Sequence, residues 1–302
     1  QAHREHTSRE EQAGFRPKRS CCDQIFSLRQ LMEERIRSGK RTAIVFIDFR
    51  SAFDTVHWPA LWNALRAEHI PAKIIRLLQE TYDGSTGCVR VRNDLSEDFP
   101  IRGGVRQGCV MSPLLLNTVV DAIMKKVFKD RQGVQYDENR YLTDLMFADD
   151  SAILADDDNE ATDVLNDIAN TADAYGLTIN VDKTKALIND GSQSTIHLNG
   201  TQIEQVREFK YLGSLIQEKK VASTAEVHHR IGLATAAFAS LNWCLWKKRV
   251  ISVKTKIRMY RALILPILLY GAATWTLLKA DLNNLEVFQI RCLPRILSVS
   301  LR

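Results

Sequence analysis

Apolar and polar positions along the 302-residue chain change their period several times, and each change predicts an element. Residues 21–38 carry apolar side chains at helical spacing and end at Ser38-Gly39, a helix stop. Residues 42–49 form an apolar, β-branched run, the pattern of a strand buried on both faces. Pro59 and Pro71 sit at the first turns of two helices, 58–69 and 71–82. Residues 87–92 and 96–101 predict a hairpin across Asn93-Asp94. Ser112-Pro113 reads as an N-cap followed by a proline at the first helical position, opening a helix to about Lys129. Residues 141–147 and 151–155 predict two strands around a tight acidic turn, and 159–175 a helix closed by Gly176. Short strands continue to about residue 216, and from Ser223 onward the pattern is helical. The order is helical, then mixed with antiparallel pairing, then all-helical, which predicts an α+β core with a helical appendage.

Composition adds little to this picture. With 45% hydrophobic and 25% charged residues, the chain can bury a large core in two or more subdomains. Charge changes it more. Residues 201–302 hold 16 Lys/Arg against 6 Asp/Glu, a net of +10, whereas residues 1–200 hold 25 against 30, a net of −5. A basic lobe joined to an acidic one suits a protein that holds a polyanion beside a carboxylate site. The six cysteines (Cys21, Cys22, Cys88, Cys109, Cys244 and Cys292) include no C-x-x-C pair, which points to reduced thiols and an intracellular setting, nuclear or cytoplasmic. The 17 uncharged residues 262–278 are marginal for a membrane span. They contain Pro266 and Gly271, and we expect a buried helix there and no membrane partner. The start at Gln1 lacks a signal-peptide pattern and suggests a piece of a longer protein.

The candidate chemistry lies in carboxylates. Asp48 ends an apolar strand, where a charge is costly to desolvate unless something compensates it. Asp149 and Asp150 are adjacent in a turn between apolar strands and repel each other, a cost that a divalent cation would remove. Hard oxygen ligands favour Mg²⁺ or Mn²⁺ over zinc. Two such ions about 4 Å apart can activate a 3′-hydroxyl and stabilise a leaving pyrophosphate. In isolation, Asp149-Asp150 fits a solvated acidic turn as well. The run Asp156-Asp157-Asp158 reads as a solvated loop before a helix.

Six blocks, in order, resemble those of reverse transcriptases, especially the non-LTR (LINE-like) retrotransposon type. They are AGFRPKRSCCDQIFSLRQL (13–31), IVFIDFRSAFDTV (44–56), GVRQGCVMSPLLLN (104–117), LMFADDSAIL (145–154), YGLTINVDKTKAL (175–187) and FKYLGSLI (209–216). The string YRALILPILLYGAATW resembles, more weakly, the thumb and connecting region. The resemblance implies an α+β right-hand polymerase fold: partial fingers in 1–40, an antiparallel-sheet palm in 41–216 with a fingers hairpin at about 86–102, and a helical thumb in 217–302. It implies an RNA-directed DNA polymerase that uses an RNA template, a DNA primer, dNTPs and two Mg²⁺ ions. The upstream endonuclease of such elements is not expected within this chain. A group II intron or retron-type enzyme, and a non-catalytic nucleic-acid-binding remnant, stay open as alternatives.

Residue by residue, the resemblance makes Asp48 and Asp149 the principal metal ligands, Asp150 the third carboxylate and the Phe49 carbonyl a further contact. Phe53 matches the ring that packs under the sugar and excludes a 2′-hydroxyl; a core aromatic is the alternative. Asp54 orders the following turn. Gln107 and Gly108 match the nucleotide pocket, where Gly103, Gly104 and Gly108 would allow close backbone approach. Arg16, Lys18 and Arg19 are triphosphate candidates, or a solvated basic loop. Lys183 matches the palm lysine that protonates pyrophosphate, with Lys185 as the alternative. Phe209, Tyr211, Leu212 and Gly213 match the primer grip. Lys254, Arg258 and Arg261 fall at i, i+4 and i+7, on a face that is either phosphate-binding or simply solvated. The blocks depart from the family at Lys18, Val110 and Phe147, and at none of the carboxylates.

Overall fold

The computed structural model describes residues 7–220, 222–297 and 299. Strand β1 (Ala43–Ile47) is buried at every position, and its alternating side chains divide between two cores. Ile44 and Phe46 meet Leu28, Leu31 and Met32 of helix α1 (Cys21–Arg37). Ala43, Val45 and Ile47 face the opposite side. There they meet helices α2 (Trp58–Ala67), α3 (Ala72–Tyr82), α4 (Ser112–Val127) and α5 (Asp158–Asp173). This two-sided burial is why the strand reads as an unbroken apolar run.

Around β1 the sheet has five strands in the order β5-β4-β1-β3-β2, with β2 (Asp144–Phe147), β3 (Asp150–Ala155), β4 (Lys185–Ile188) and β5 (Glu204–Gln205). Only the β4–β5 pair is parallel. A further antiparallel hairpin, β6 (Glu208–Tyr211) and β7 (Ser214–Gln217), packs on the α1 side.

Several elements depart from expectation. The expected strand 141–147 breaks at Thr143, so that Arg140–Leu142 pairs with Val134–Asp137 and only Asp144–Phe147 joins the main sheet. The break falls where Thr143 and Asp144 turn polar groups inward toward Arg9. The protruding hairpin forms through Thr86–Gly87 with Phe99–Pro100 and Arg90–Val91 with Asp94–Leu95. Its turn lies at Arg92-Asn93, one residue earlier than expected, with Arg92 at φ 56°. Ser112 is not the N-cap of α4: it is the helix's first residue, and Met111 takes the cap position. The acidic run at 156–158 leads into α5 with Asp156 and Asp157 exposed, as expected, but its side chains are also engaged. Asp156 pairs with the buried Arg35, Asp157 caps α5 through the Glu160 N–H at 2.8 Å, and Asp158 pairs with Arg41.

The C-terminal lobe has its own core, in which Ala234 and Phe238 of α6 (Thr224–Ser240) pack with Trp246, Tyr260, Ile264, Leu268, Phe288 and Ile296. The uncharged stretch is not one buried helix. Helix α7 (Val253–Met259) widens into a π turn over Tyr260–Ile264, narrows to Leu265–Leu268, and ends before Gly271 (φ 70°) and a 3₁₀ turn, Ala272–Thr274. Pro266 supplies no N–H to the preceding turn, a cause of such widening. Tyr260, Ile264 and Leu268 are buried while Leu263 and Leu269 are exposed. By length and composition alone, Val253–Thr274 is long and apolar enough to cross a membrane. The last helix, α8 (Lys279–Leu297), closes the lobe.

Candidate active site

Strand register assembles the carboxylates. β1 pairs antiparallel with β3 from Ala43↔Ala155 to Ile47↔Ser151, so the next step sets Asp48 opposite Asp150. β2 and β3 pair as far as Phe147↔Asp150, leaving Ala148 and Asp149 as the two residues of the turn. Ala148 is left-handed, at φ 61°. Asp48 is fixed from behind by its backbone, since its carbonyl accepts from the Asn180 N–H at 2.7 Å. The neighbouring bridge Phe49↔Ile179 uses the Asp48 carbonyl and the Arg50 N–H, which leaves the Phe49 carbonyl out of that pairing.

Electrostatics mark the same three residues. Desolvation, and then the charge of Asp48, push the Asp149 carboxyl above its ordinary range. Desolvation, Asp149 and Asp48 push Asp150 up to about 6. Asp48 Oδ2 is buried without a hydrogen-bond partner, and the Lys183 ammonium stands 3.6 Å from it. Three hard oxygen donors with mutual repulsion and an unmet acceptor fit a divalent cation. Among the described residues, no three His, Cys, Asp or Glu side chains are already drawn into a metal-binding cluster. Lys183 is exposed and faces Asp48, whereas Lys185 is engaged by Glu204 at 2.7 Å and by the Asp182 carbonyl.

Phe53 lies on a helical turn, Ala52–Thr55, half-buried against the first core. It lines an open depression with Asp54, Trp58, Tyr82, Gly104 and Gln107. The Gln107 amide lies 3.3 Å from both Asp54 carboxylate oxygens, so the Asp54 side chain reaches across to the 104–108 segment. The three glycines differ. A Cβ on Gly104 would come within 2.7 Å of the Asp54 carbonyl, and one on Gly103 within 3.2 Å of the Val56 carbonyl, so both serve chain packing. Gly108, at φ 82°, has open space around it.

Behind the carboxylates, Phe209 stacks on Phe46 with centroids 4.1 Å apart, and the buried Tyr211 hydroxyl donates to the Leu145 carbonyl at 3.1 Å. Phe46, Phe209 and Tyr211 line one depression with Asp48, Asp150 and Lys183. Leu212 (φ 47°) and Gly213 (φ 82°) form the tight turn of the β6–β7 hairpin. Their carbonyls accept hydrogen bonds from the C-terminal lobe, Leu212 from Tyr270 at 2.7 Å and Gly213 from Arg230. In that lobe Lys254, Arg258 and Arg261 are all exposed, while Lys256 is buried and donates to the Trp246 carbonyl.

Two basic candidates point elsewhere. Arg16 turns inward, with its side chain 8% exposed, and donates to the Arg9 and Gln12 carbonyls at 2.8 and 3.0 Å. Arg19 pairs with Glu10, while Lys18 is exposed. The reason is a contact that sequence reasoning missed. Residues 11–13 lie along β2, with Ala13 N–H on the Met146 carbonyl at 2.9 Å and Met146 N–H on the Glu11 carbonyl at 3.1 Å. Arg9 anchors this segment through a two-point ion pair to the buried Asp144, at 2.6 and 2.9 Å. A polar stretch such as REEQ gives no periodic signal of burial. Its place just before the AGFR string was the one available cue.

A mainly antiparallel sheet with three aspartates at one end, covered by helices, flanked by a projecting hairpin and followed by a helical lobe, defines the right-hand polymerase class. Residues 1–216 match the reverse transcriptase (RNA-dependent DNA polymerase) family, and the chain belongs to it. Members of the family generally use a divalent metal ion. Similar proteins come from non-LTR retrotransposons, as the sequence blocks indicated. One is the Pol polyprotein from type-1 retrotransposable element R2 of Popillia japonica, 29% identical over 66% of this chain and 34% of its own length. The RNA-directed DNA polymerase from mobile element jockey of Drosophila melanogaster is 25% identical over 94% of this chain and 31% of its own. The probable RNA-directed DNA polymerase from transposon BS of the same species is 27% identical over 94% and 32%. The chain thus spans about a third of the length of these relatives. In fold it is similar to telomerase from Candida tropicalis, solved in complex with a fragment of telomeric RNA. That likeness has a TM-score of 0.51 and 14% identity, covering 97% of this chain and 44% of that one.

Proposed function

We propose that this chain is an RNA-directed DNA polymerase that extends a DNA 3′ end on an RNA template with dNTPs. The observation that carries this reading is the β1–β3 register, which sets Asp48 across from Asp150 with Asp149 in the adjoining turn. The family and the names of the relatives support the reaction, and the telomerase neighbour, solved with RNA, supports the template class. Asp48, Asp149 and Asp150, with the Phe49 carbonyl, would hold Mg²⁺ or Mn²⁺. When bound, two such ions supply charge neutralisation at the 3′-oxygen and the leaving pyrophosphate. Lys183 holds a proton beside Asp48 for the departing pyrophosphate. Phe53 sits under the sugar of the incoming nucleotide and excludes a 2′-hydroxyl; Gln107 lines the same depression, and Gly108 follows it in the chain with open space around it. Phe209, Tyr211, Leu212 and Gly213 seat the primer end. Lys254, Arg258 and Arg261 offer the template–primer phosphates an exposed basic face. Six free cysteines accord with an intracellular site of action, nuclear or cytoplasmic.

The test is template-dependent primer extension on an RNA template with Mg²⁺. Incorporation of dNTPs by the wild type, lost at least about a thousandfold in Asp149→Ala as removal of a central charge-stabilising group requires, is the expected result. A folded sample that binds template–primer but adds no nucleotide would make the chain a nucleic-acid-binding remnant. Undiminished synthesis by Asp149→Ala would refute the site.

A further inference from the structure

The turn that presents Asp149 has an unfavourable backbone. Ala148 is left-handed at φ 61°, a conformation that costs an L-residue with a Cβ and is ordinarily left to glycine or asparagine. The glycine option is not used here. The turn is held instead by one side chain from outside the sheet. The Gln12 amide, fully buried, grips the Ala148 peptide groups on both sides: its Oε1 accepts from the Ala148 N–H at 2.9 Å, and its Nε2 donates to the Ala148 carbonyl at 3.1 Å. The same Oε1 accepts from the Gly14 N–H at 2.8 Å, which fixes the rotamer. Behind the grip, Gln24 ties the Glu11 and Met146 carbonyls together, and Asn117 of α4 holds the Gly14 carbonyl at 2.7 Å. Gly14 has no alternative, because a Cβ there would lie 2.2 Å from the Ala148 nitrogen.

We propose that Gln12 is a positioning residue for the carboxylate site: it holds Ala148 left-handed so that Asp149 is presented beside Asp48 and Asp150. This rests on the polymerase reading above for its consequence in synthesis, but its geometry is independent of substrate. A primary amide is required because one head must donate and accept at once. Glu lacks the donor, and Met has the volume but neither group. Without the grip, the two Ala148 backbone groups are unmet in a buried setting and the residue relaxes out of the left-handed region. Asp149 then turns away from its partners.

The experiment compares wild type, Gln12→Met, Gln12→Ala, and Gln12→Met combined with Ala148→Gly, in which glycine takes the left-handed conformation without help. Mn²⁺ binding is followed by electron paramagnetic resonance in the absence of nucleotide, and thermal unfolding is recorded for each protein. We expect both single variants to bind Mn²⁺ about tenfold more weakly, equivalent to about 1.4 kcal/mol. The Ala148→Gly change should recover most of that loss in the Gln12→Met background, whether or not the unfolding temperature recovers. Single-turnover dNTP addition should follow the same ranking, with template–primer affinity unchanged. Equal Mn²⁺ affinity of wild type and Gln12→Met overturns the proposal, as does failure of Ala148→Gly to restore binding to folded Gln12→Met. If the Mn²⁺ ranking holds but no variant, wild type included, adds dNTPs, the positioning role stands and the polymerase reading falls.

Discussion

At the scale of single residues, identical chemical groups are given different tasks by their surroundings. Lys183 and Lys185 lie two apart, yet one ammonium faces Asp48 at 3.6 Å and the other is consumed by Glu204. Lys183→Ala should therefore slow single-turnover nucleotide addition by about a hundredfold, the lower end for a lost general acid, with template–primer affinity unchanged. Lys185→Ala should stay near the wild-type rate, and the reverse ranking would reassign the proton donor. Aspartates divide in the same way. Burial alone would raise the Asp158 carboxyl, but the Arg41 guanidinium and the Thr195 N–H and hydroxyl together hold it below the usual range. A carboxylate lowered in the folded state contributes stability that is complete above the unfolded value of about 3.9 and is lost as pH falls through the folded one. Asp158→Asn should cost about 1–3 kcal/mol at pH 7, as for a hydrogen-bonded charge, and the gap to wild type should close as pH is taken below about 4. Urea unfolding across pH measures it, and a pH-independent difference would show that the charge is not what matters.

At the scale of elements, the β2–β3 hairpin is held from one side by the sheet and from the other by the segment before α1. The Arg9–Asp144 pair closes that second contact, with Asp144 fully buried and the Arg9 side chain 10% exposed. Arg9→Ala leaves an uncompensated buried carboxylate, a loss of about 3–5 kcal/mol in unfolding free energy. Because the pair also fastens residues 11–13 along β2, hydrogen exchange at the Ala13 and Met146 amides should accelerate in Arg9→Ala more than exchange at Val45 in β1. Uniform acceleration would mean that the segment and the sheet open as one unit. The β6–β7 turn is tied likewise, through Tyr270 and Arg230 to the helical lobe, so the proposed primer grip is positioned by contacts from a separate core.

At the scale of the whole molecule, the charge asymmetry maps onto structure. The carboxylate site lies in the acidic part of the sequence, and the helical lobe supplies the exposed Lys254, Arg258 and Arg261. If that face meets template–primer phosphates, Lys254→Ala or Arg258→Ala should each reduce the slope of log affinity against log salt by about 1. Fluorescence anisotropy between low and moderate salt reads this directly. An unchanged slope in both variants would leave the face simply solvated.

By itself the sequence determined most of the elements and the candidate site. The 42–49 run, the two apolar strands around Asp149-Asp150, the α5 period and the helical end are local patterns, and burial of one face or both writes them directly into residue order. The six blocks carried the family because chemistry demands particular residues at particular places along the chain. What only the tertiary structure decided were pairings between distant polar groups. Nothing local distinguishes Arg16, spent on two carbonyls, from an arginine free to bind phosphate. Nothing local shows that Gly104 is needed by the Asp54 carbonyl, that Asp156–Asp158 is a cap with two ion pairs, or that Pro266 lies in a half-exposed broken helix. Gln12 is the clearest case. Its partner is 136 residues away in sequence, and a buried amide leaves no periodic trace, because hydrogen bonds are satisfied by position in space and not by order along the chain.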